Sequence, residues 1–274
     1  MNSLLINGIA PLDSARAIAA TDRGLQYGDG LFETILFRNG TTRYLHEHLA
    51  RMELGCQHLG IPYPGRDLLI SDVEGVTRGQ DDGVVKIMVT RGVGGRGYRP
   101  EKSAAPTRIV RLFPLPPPLA APGEGIAACW CLTRLGHSPS LAGIKHLNRL
   151  EQVLAQMEWQ PDKFGEGLML DVTGAVVCGT STNLFAVIDA TLCTPEILHC
   201  GIRGIMRARV LQAAATLGIQ TAECILRPED LARASEVFLT NAVRGIVPVC
   251  KLEERRWPVG AVSRRLGQKL GGNE

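Results

Sequence analysis

The sequence predicts an α+β fold built mainly from antiparallel strands. Apolar and β-branched runs follow one another through short turns rich in glycine and asparagine, which is the pattern of β-hairpins. Helical spacing appears in a few longer segments, but strands and helices do not alternate as they do in a parallel sheet. A proline-rich segment interrupts the 274-residue chain, so two domains are expected.

Hairpins dominate the N-terminal part. A first strand is expected to turn at Asn7–Gly8, and a strand pair is expected around Asn39–Gly40. The segment 46–60 has apolar residues three to four positions apart, which predicts a helix ending at Gly60. The segment 83–92 is rich in β-branched residues and predicts a buried strand.

Prolines mark the expected domain boundary, at Pro114, Pro116, Pro117, Pro118 and Pro122. Because proline disrupts helices and central strands, they favour an extended connector. The predicted organisation is an N-terminal domain at 1–113, a linker at 114–122 and a C-terminal domain at 123–274.

The C-terminal part predicts strands and two helices. One helix is expected after Asn148 as N-cap, with Glu151 completing a capping box. Its apolar face would consist of Leu150, Val153, Leu154 and Met157. A hairpin should turn at Thr173–Gly174, further strands should follow, and 204–219 predicts a strongly amphipathic helix.

Composition and charge exclude several classes of protein. The net charge of +3 is spread along the chain, so no nucleic-acid or membrane partner is expected. None of the eight cysteines forms a CxxC pair, and the Cys129–Cys131 spacing is too tight for a common zinc site. The start, Met1–Ile6, lacks the features of a signal peptide, and no apolar run could span a membrane. A reducing, cytoplasmic location is expected.

Four segments could carry chemistry, and each also has an ordinary structural interpretation. Lys145 follows an apolar run; burial would make its amine a nucleophile, but a lysine extending to solvent from a strand edge is the better local interpretation. The loop 90–98 fits neither a Walker nor a dinucleotide motif. Its Arg91 and Arg96 could bind a carboxylate, or the loop could be a surface turn.

The other two segments are equally ambiguous alone. The loop 21–35 has Gly24, Gly28 and Gly30, which permit a close backbone approach or form a plain turn. The segment 204–207 opens a helix whose N–H groups could bind phosphate, as those of any helix could. The segment 132–140 is locally basic and could bind an anionic small molecule.

Together and in this order, the four segments resemble the fold-type-IV pyridoxal-5′-phosphate (PLP) enzymes. That family includes branched-chain aminotransferases, D-amino-acid aminotransferases and aminodeoxychorismate lyases. The stretches TRGVGGRGY and SPSLAGIKHLNRLEQVL look specifically like the lyases. The resemblance implies two α/β domains with mostly antiparallel sheets or a barrel, the cofactor between them, and a homodimer.

The resemblance also assigns roles to residues. Lys145 falls on the Schiff-base lysine, and Arg51 falls on the arginine that binds the cofactor phosphate. The remaining implied cofactor contacts are Asn148, Cys178, Ile205, Met206, Asn241 and Ala242. Arg96 and Tyr98 fall on substrate-binding positions, with Arg91 as a further candidate. Thr34 falls on a position near the cofactor, and it, or a water that it holds, is a candidate for the acid that protonates the departing group.

Cys178 departs from the family pattern. The family has a glutamate there, which keeps the pyridine nitrogen protonated. A thiol could replace it electrostatically only as a thiolate. The substitution is expected to weigh more against an aminotransferase than against a lyase, whose product is aromatic.

The resemblance implies 4-amino-4-deoxychorismate lyase activity, which yields p-aminobenzoate and pyruvate. A D-amino-acid or branched-chain aminotransferase on the same fold is the first alternative. A PLP-binding protein with little catalysis and a non-enzymatic interaction module are further alternatives.

Overall fold

The computed structural model describes residues 3–14, 17–101, 105–121 and 123–271. Contacts divide the chain into two units. Unit 1 consists of Met1–Pro116 with Lys145–Asn148, and unit 2 consists of Pro117–Ile144 with Arg149–Glu274. The division falls after Pro116, and Pro122 lies outside the described residues. The bounds 1–113, 114–122 and 123–274 stay a prediction.

Unit 1 contains one antiparallel sheet and three helices. The strands are β1 (Leu4–Ile6), β2 (Gly30–Arg38), β3 (Thr41–Thr42), β4 (Gly83–Thr90) and β5 (Thr107–Phe113), in the order β1-β5-β4-β2-β3. The helices are α1 (Arg23–Tyr27), α2 (Leu45–Leu59) and α3 (Arg66–Thr77). Turn residues explain the predicted breaks, since Asn39 and Gly40 both have positive φ and Gly60 ends α2 in the left-handed conformation.

Alternation along β2 gives the unit 1 sheet two different faces. Leu31, Glu33 and Ile35 are buried on the face that packs against α2, while Phe32 and Thr34 point to the opposite face and are half-buried. Direct pairing places Lys86 of β4 beside Thr34, and Arg111 of β5 beside Lys86, on that opposite face. This second face, defined by Phe32, Thr34, Lys86 and Arg111, is called the open face below.

Unit 2 is a barrel with appended strands and four helices. Its strands are β6 (Ile126–Trp130), β7 (Glu166–Leu170), β8 (Val176–Gly179), β9 (Asn183–Ile188), β10 (Thr191–Pro195), β11 (Thr221–Cys224), β12 (Glu236–Asn241), β13 (Gly245–Leu252) and β14 (Arg255–Arg256). The helices are α4 (Leu150–Gln156), α5 (Ile205–Thr216), α6 (Pro228–Arg233) and α7 (Ala261–Lys269).

Six strands close the barrel in the order β9-β12-β13-β6-β7-β8, because β8 also pairs with β9. Three pairs are parallel, namely β6–β13, β6–β7 and β10–β11, and the other pairs in this sheet are antiparallel. The core includes the stacked, fully buried rings of Phe185 and Phe238, whose centroids are 5.1 Å apart. The predicted α+β class with mostly antiparallel sheets and a barrel is confirmed.

Two details of α4 differ from the prediction. Its N-cap is Arg149, and Asn148 instead donates its side-chain N–H to the Gly28 carbonyl at 3.2 Å. Glu151 accepts a hydrogen bond from the Gly136 N–H rather than closing a capping box. The predicted apolar face is exposed, at 77% for Leu150, 51% for Val153, 55% for Leu154 and 77% for Met157. The periodicity predicted an apolar face but not that this face is exposed.

The helix at 204–219 is confirmed as α5, and one face of it is buried. That face consists of Met206, Arg207, Val210, Ala213 and Ala214, so it includes a charged side chain and two small ones. The helix is therefore less sharply amphipathic than the sequence suggested. Among the described residues, none of the helices is long and apolar enough to cross a membrane.

Candidate active site

Lys145 lies on a short extended segment that pairs with β2. The Phe32 N–H donates to the Lys145 carbonyl at 3.0 Å, and the Leu147 N–H donates to the Gly30 carbonyl at 3.0 Å. The Lys145 side chain is half-buried, and its Nζ atom is 4.1 Å from the centroid of the Phe32 ring. The chain therefore returns to unit 1 for four residues and places this amine at the open face.

Glycines in the loop 21–35 make room for that segment. A Cβ atom on Gly28 would come within 2.5 Å of Asn148 Oδ1, and one on Gly30 would come within 2.7 Å of the Leu147 side chain. Gly28 also has a φ of 65°, which disfavours any other residue. What approaches the backbone closely here is thus the segment that carries Lys145.

Arg51 is held by a buried carboxylate. Its Nε and Nη2 atoms donate to the two carboxylate oxygens of Glu33, at 2.7 and 2.5 Å. His48 Nδ1 lies 2.6 Å from Glu33 Oε2. Burial alone would raise the pKa of Glu33, but Arg51 and His48 outweigh it and lower that pKa to about 2. Glu33 is therefore ionised and fixes the guanidinium of Arg51 at the sheet.

Arg91 is committed to contacts inside unit 1. Its Nε and Nη2 atoms grip both oxygens of Asp29, at 2.7 and 3.0 Å, and it donates further to the carbonyls of Leu59 and Gly60. Burial opposes ionisation of Asp29, yet hydrogen bonds from Arg91 and Arg23 lower its pKa below the ordinary value. These contacts favour a structural role for Arg91, and its role in substrate binding stays a prediction.

Arg96 and Tyr98 are both exposed in the glycine-rich loop. Arg23 holds this loop in place by donating hydrogen bonds to the carbonyls of Gly97 and Tyr98, at 2.9 and 2.8 Å. The ring of Tyr98 meets Tyr27 edge-on, with centroids 5.5 Å apart. The loop is thus anchored while these two side chains remain available to a ligand.

Unit 2 offers an anion-binding cradle at the start of α5. Gly204 is the N-cap and provides no side chain to satisfy the first helical N–H groups, including those of Ile205 and Met206. Nearby, Asn183 pairs with Thr240 across β9 and β12, and its Oδ1 lies 2.1 Å from where a Gly204 Cβ would stand. Thr240 Oγ1 is buried and has no hydrogen-bond partner among the described residues.

The turn after β12 has a fixed backbone. Asn241 Oδ1 accepts hydrogen bonds from the N–H groups of Val243 and Arg244, at 3.1 and 2.8 Å. This Asn-capped turn holds Ala242 in place. Asn241 and Ala242 directly follow Thr240, whose cross-strand partner Asn183 lies beside Gly204, and their role with Ile205 and Met206 in binding the cofactor stays a prediction.

Cys178 lies buried on β8, where it pairs with Asn183 of β9. Burial raises the pKa of the Cys178 thiol strongly, Cys200 and Glu166 raise it further, and Arg149 opposes them. These surroundings favour the neutral thiol over the thiolate. This argues against the thiolate that the sequence left open.

Several residues at these sites were missed from the sequence, namely Glu33, His48, Lys86, Asn183 and Thr240. Glu33 left a readable signal, because it occupies an inward position in the alternating run Leu31-Phe32-Glu33-Thr34-Ile35. An acid at a core position needs a partner. The other four depend on contacts between segments that are distant in sequence.

Comparison with known proteins places the chain in a family. The sequence model of amino-transferase class IV matches residues 30–252. The chain belongs to the class IV aminotransferase family. The match includes β2, Arg51, Lys145, Cys178 and the start of α5, and extends to the end of β13.

The relatives of this chain include both lyases and aminotransferases. An aminodeoxychorismate lyase from Vibrio harveyi is 36% identical over 256 residues, which cover 91% of this chain and 94% of the relative. A D-alanine aminotransferase from Bacillus licheniformis is 28% identical, covering 94% and 91% of the two chains.

A solved structure is more similar still. The crystal structure of 4-amino-4-deoxychorismate lyase from Pseudomonas aeruginosa has a TM-score of 0.91 and 44% identity, covering 97% of both chains. The branched-chain aminotransferase of Escherichia coli has a TM-score of 0.88 at 24% identity, which shows the shared fold.

Proposed function

We propose that this protein is an aminodeoxychorismate lyase that uses PLP to convert 4-amino-4-deoxychorismate into p-aminobenzoate and pyruvate. The observation that carries the proposal is Lys145, whose half-buried amine is fixed beside Phe32 by backbone pairing with β2. The similarity to lyases at 36% and 44% identity over nearly the whole chain supports this substrate.

The residues present fit a phosphorylated aldehyde cofactor. An uncapped helix start and the buried, unpartnered hydroxyl of Thr240 suit a phosphate, and the absence of a side chain at Gly204 keeps the cradle open. We assign the phosphate to Ile205, Met206, Ala242 and Thr240 of unit 2, and Arg51 as a phosphate ligand stays a prediction from the resemblance. Lys145 would hold the aldehyde, Cys178 would face the ring, and Asn241 and Asn148 would fix the backbone around these groups.

When bound, PLP supplies an electron sink next to the substrate's amino-bearing carbon. The chain's own part is proton transfer and positioning. Lys145 is proposed as the base that removes the proton from C4 of the substrate. The Thr34 hydroxyl, or a water that it holds, is proposed to deliver a proton to the departing enolpyruvate oxygen, and Lys145, which carries the proton taken from C4, returns a proton to it. Arg96 and Tyr98 are proposed to bind a substrate carboxylate at the anchored loop.

Cys178 favours a lyase over an aminotransferase. A neutral thiol cannot stabilise a protonated pyridine nitrogen as a carboxylate does, so the electron sink is weaker. The lyase reaction tolerates a weaker sink because formation of an aromatic product drives it forward. The aminotransferase alternative predicts a new 2-oxo acid when the protein is mixed with an amino donor and a 2-oxo acid.

The homodimer belongs to the proposal and is supported by α4. Three large apolar side chains of this helix and that of its C-cap, Met157, lie exposed, which is unusual for a surface in contact with water. Replacing Leu150 and Leu154 with Glu should yield a monomer in light scattering. If both the wild-type and the altered protein are monomers, the proposed dimer is wrong. The eight cysteines, all within the described residues, are free, and a cytoplasmic location stays a prediction.

The deciding experiment is incubation of the holoenzyme with enzymatically generated aminodeoxychorismate, followed by measurement of p-aminobenzoate and pyruvate in equal amounts. Lys145→Ala should remove both the activity and the visible absorbance of the covalently held cofactor, whereas Lys163→Ala, in an exposed turn, should change neither. Gly204→Ala should weaken PLP binding in equilibrium dialysis. A wild-type protein that binds PLP but yields no p-aminobenzoate would contradict the proposed function.

A further inference from the structure

Three side chains of unit 2, outside the proposed PLP site, bring metal-binding atoms together. They are His137, Asp171 and Cys200, whose ligand atoms all lie within 4.8 Å of one another. Among the described residues, this is the one group of three histidine, cysteine or acidic side chains that meet so closely. The sequence contains no ligand-spacing motif for it, since His137 and Asp171 are 34 positions apart.

Backbone hydrogen bonds hold the segments of these three side chains together. The Val172 N–H, directly after the aspartate, donates to the Leu135 carbonyl at 3.2 Å. The Ser138 N–H donates to the His199 carbonyl at 2.7 Å, which joins the residues next to the histidine and next to the cysteine. Because the fold itself fixes the three segments, a ligand that binds them orders little of the backbone, and the entropic cost of binding is small.

Asp171 is oriented so that one carboxylate oxygen meets His137. Its Oδ1 atom accepts hydrogen bonds from the N–H and the hydroxyl of Thr173 and from the Ala175 N–H, at 2.8, 2.7 and 2.9 Å. Its Oδ2 atom lies 2.9 Å from His137 Nε2. Within the described part of the chain, no lysine or arginine forms an ion pair with this buried carboxylate. It therefore lacks a permanent cation as partner, which a bound metal ion would provide.

The spacing of the three groups suits a tetrahedral Zn²⁺ ion. Bonds of about 2.0 to 2.2 Å place a nitrogen and an oxygen ligand about 3.3 Å apart on such an ion. That separation is close to the 2.9 Å between His137 Nε2 and Asp171 Oδ2. The thiol of Cys200 is free, and a shift of about 1 Å would bring its sulfur to bonding distance. The His137 side chain is 29% exposed, so an ion can enter from solvent.

We propose that His137, Asp171 and Cys200 form a binding site for a zinc-class divalent cation, with water as the fourth ligand. Imidazole and thiolate ligands favour Zn²⁺, whereas Mg²⁺ and Ca²⁺ bind sites made of oxygen atoms. The thiol proton passes to solvent when the sulfur binds the ion. The ion joins the segment that leads to Lys145 with the segment that leads to Gly204, and so stabilises unit 2. The inference is independent of the proposed function, because none of the three ligands belongs to the proposed PLP site.

The test uses the full-length protein with its cofactor, stripped of metal by a chelator and then dialysed against Zn²⁺ or Mg²⁺. Cys200→Ser removes the sulfur ligand. Asp171→Asn keeps an oxygen for the Thr173 turn but replaces the carboxylate with a poor metal ligand. Cys129→Ser, at another free and half-buried cysteine of unit 2, is the matched control. The dissociation constant of the metal and the midpoint of thermal unfolding are measured for each protein.

The wild type should bind one Zn²⁺ ion more per chain than Cys200→Ser, and its unfolding midpoint should rise with the concentration of free Zn²⁺. Mg²⁺ should have neither effect. Cys200→Ser and Asp171→Asn should each weaken Zn²⁺ binding by at least about a hundredfold, since loss of a group that only supports a ligand already costs about tenfold to a hundredfold. Cys129→Ser should match the wild type in both measurements.

Equal Zn²⁺ affinity in the wild type and Cys200→Ser would overturn the inference, and so would a wild type that binds no Zn²⁺. An equal loss of affinity in Cys129→Ser would also overturn it, because the effect would then not belong to this cluster. The metal-free proteins show whether a variant is folded, since their unfolding midpoints should agree. If metal-free Cys200→Ser is unstable, the Zn²⁺ affinity of Asp171→Asn decides, and an affinity equal to that of the wild type would overturn the site.

Discussion

Glu33 of unit 1 and Glu166 of unit 2 are both buried carboxylates, but they are satisfied by different groups. Glu33 of unit 1 meets the guanidinium of Arg51 and the ring of His48. Glu166 of unit 2, which is 2% exposed, meets backbone N–H groups and the hydroxyls of Thr180, Ser181 and Thr182. A negative charge buried away from water is thus stabilised mainly by a charged group in the first case and mainly by neutral hydrogen-bond donors in the second.

The difference predicts what each carboxylate does. Glu33 holds a cation in place, so its loss leaves a buried charge without compensation. Glu166 gathers the loop that follows Cys178, so its loss frees N–H and hydroxyl donors. The partly buried Arg244 interacts with Glu166 electrostatically but forms no ion pair with it among the described residues. Glu236 works like Glu166, since its oxygens accept from Val262 and Ser263 N–H groups at the start of α7.

The largest effect is expected for Glu33→Gln. The amide cannot neutralise Arg51, so the free energy of unfolding should fall by about 3 to 5 kcal/mol. Urea unfolding at neutral pH measures the change. Glu53→Gln is the matched control, because Glu53 and Arg66 form an exposed pair at 3.9 Å that should contribute less than about 1 kcal/mol. Equal losses for both variants would contradict the assignment.

Lowering the pH should remove the difference in the free energy of unfolding between the wild type and Glu33→Gln. The folded pKa of Glu33, about 2, lies below the ordinary value of 4.5, so its stabilising effect is complete above pH 4.5. The effect is lost as the pH falls from 4.5 towards 2, because the carboxylate takes up a proton. Unfolding free energies measured across that range should therefore converge. A constant gap between the two proteins would show that Glu33 is not ionised in the folded state.

Gly260→Ala should disrupt the hydrogen bonds between Glu236 and the N–H groups at the start of α7. The added Cβ would stand 1.8 Å from Glu236 Oε2, so the carboxylate must leave the helix start. Loss of the cap together with crowding should cost about 2 to 4 kcal/mol. Gly267→Ala is the control on the same helix, because a Cβ there meets nothing within 4 Å and should stabilise the protein by up to about 1 kcal/mol. Thermal unfolding compares the two, and destabilisation by both would point to the helix rather than to the cap.

Local turn chemistry explains why much of the fold was predictable. Asn39–Gly40 and Gly174 adopt the positive φ values that the hairpins require, and these residue types are readable from the sequence. Closure of the barrel was not readable in this way, because β8 and β9 meet through a single residue pair, Cys178 with Asn183. Long-range pairing depends on the whole sheet rather than on a local motif.

The candidate site was predictable only in part. Lys145 and Arg51 were predicted as site residues only from the resemblance to a family, since nothing in the local sequence distinguishes either from a surface cation. For Arg91 the resemblance was not enough. Its partner Asp29 is 62 positions away in the sequence, so this contact could not be foreseen. Lys86 was missed for a related reason. Its position beside Lys145 depends on β4 pairing with β2 while the 145–148 segment pairs with β2 as well.

Glu166→Gln should have the smallest effect of the carboxylate substitutions. Gln keeps one oxygen for the Thr180 and Ser181 donors, and the hydroxyl groups can turn to meet the new N–H₂ group. The expected loss is about 1 to 3 kcal/mol, from backbone N–H groups left without an acceptor. Glu166→Ala, which removes both oxygens, should cost more, and urea unfolding of the two variants measures the series. A loss for Glu166→Gln as large as that for Glu33→Gln would mean that Glu166 compensates Arg244 as strongly as Glu33 compensates Arg51, and the contrast between these two carboxylates would fail.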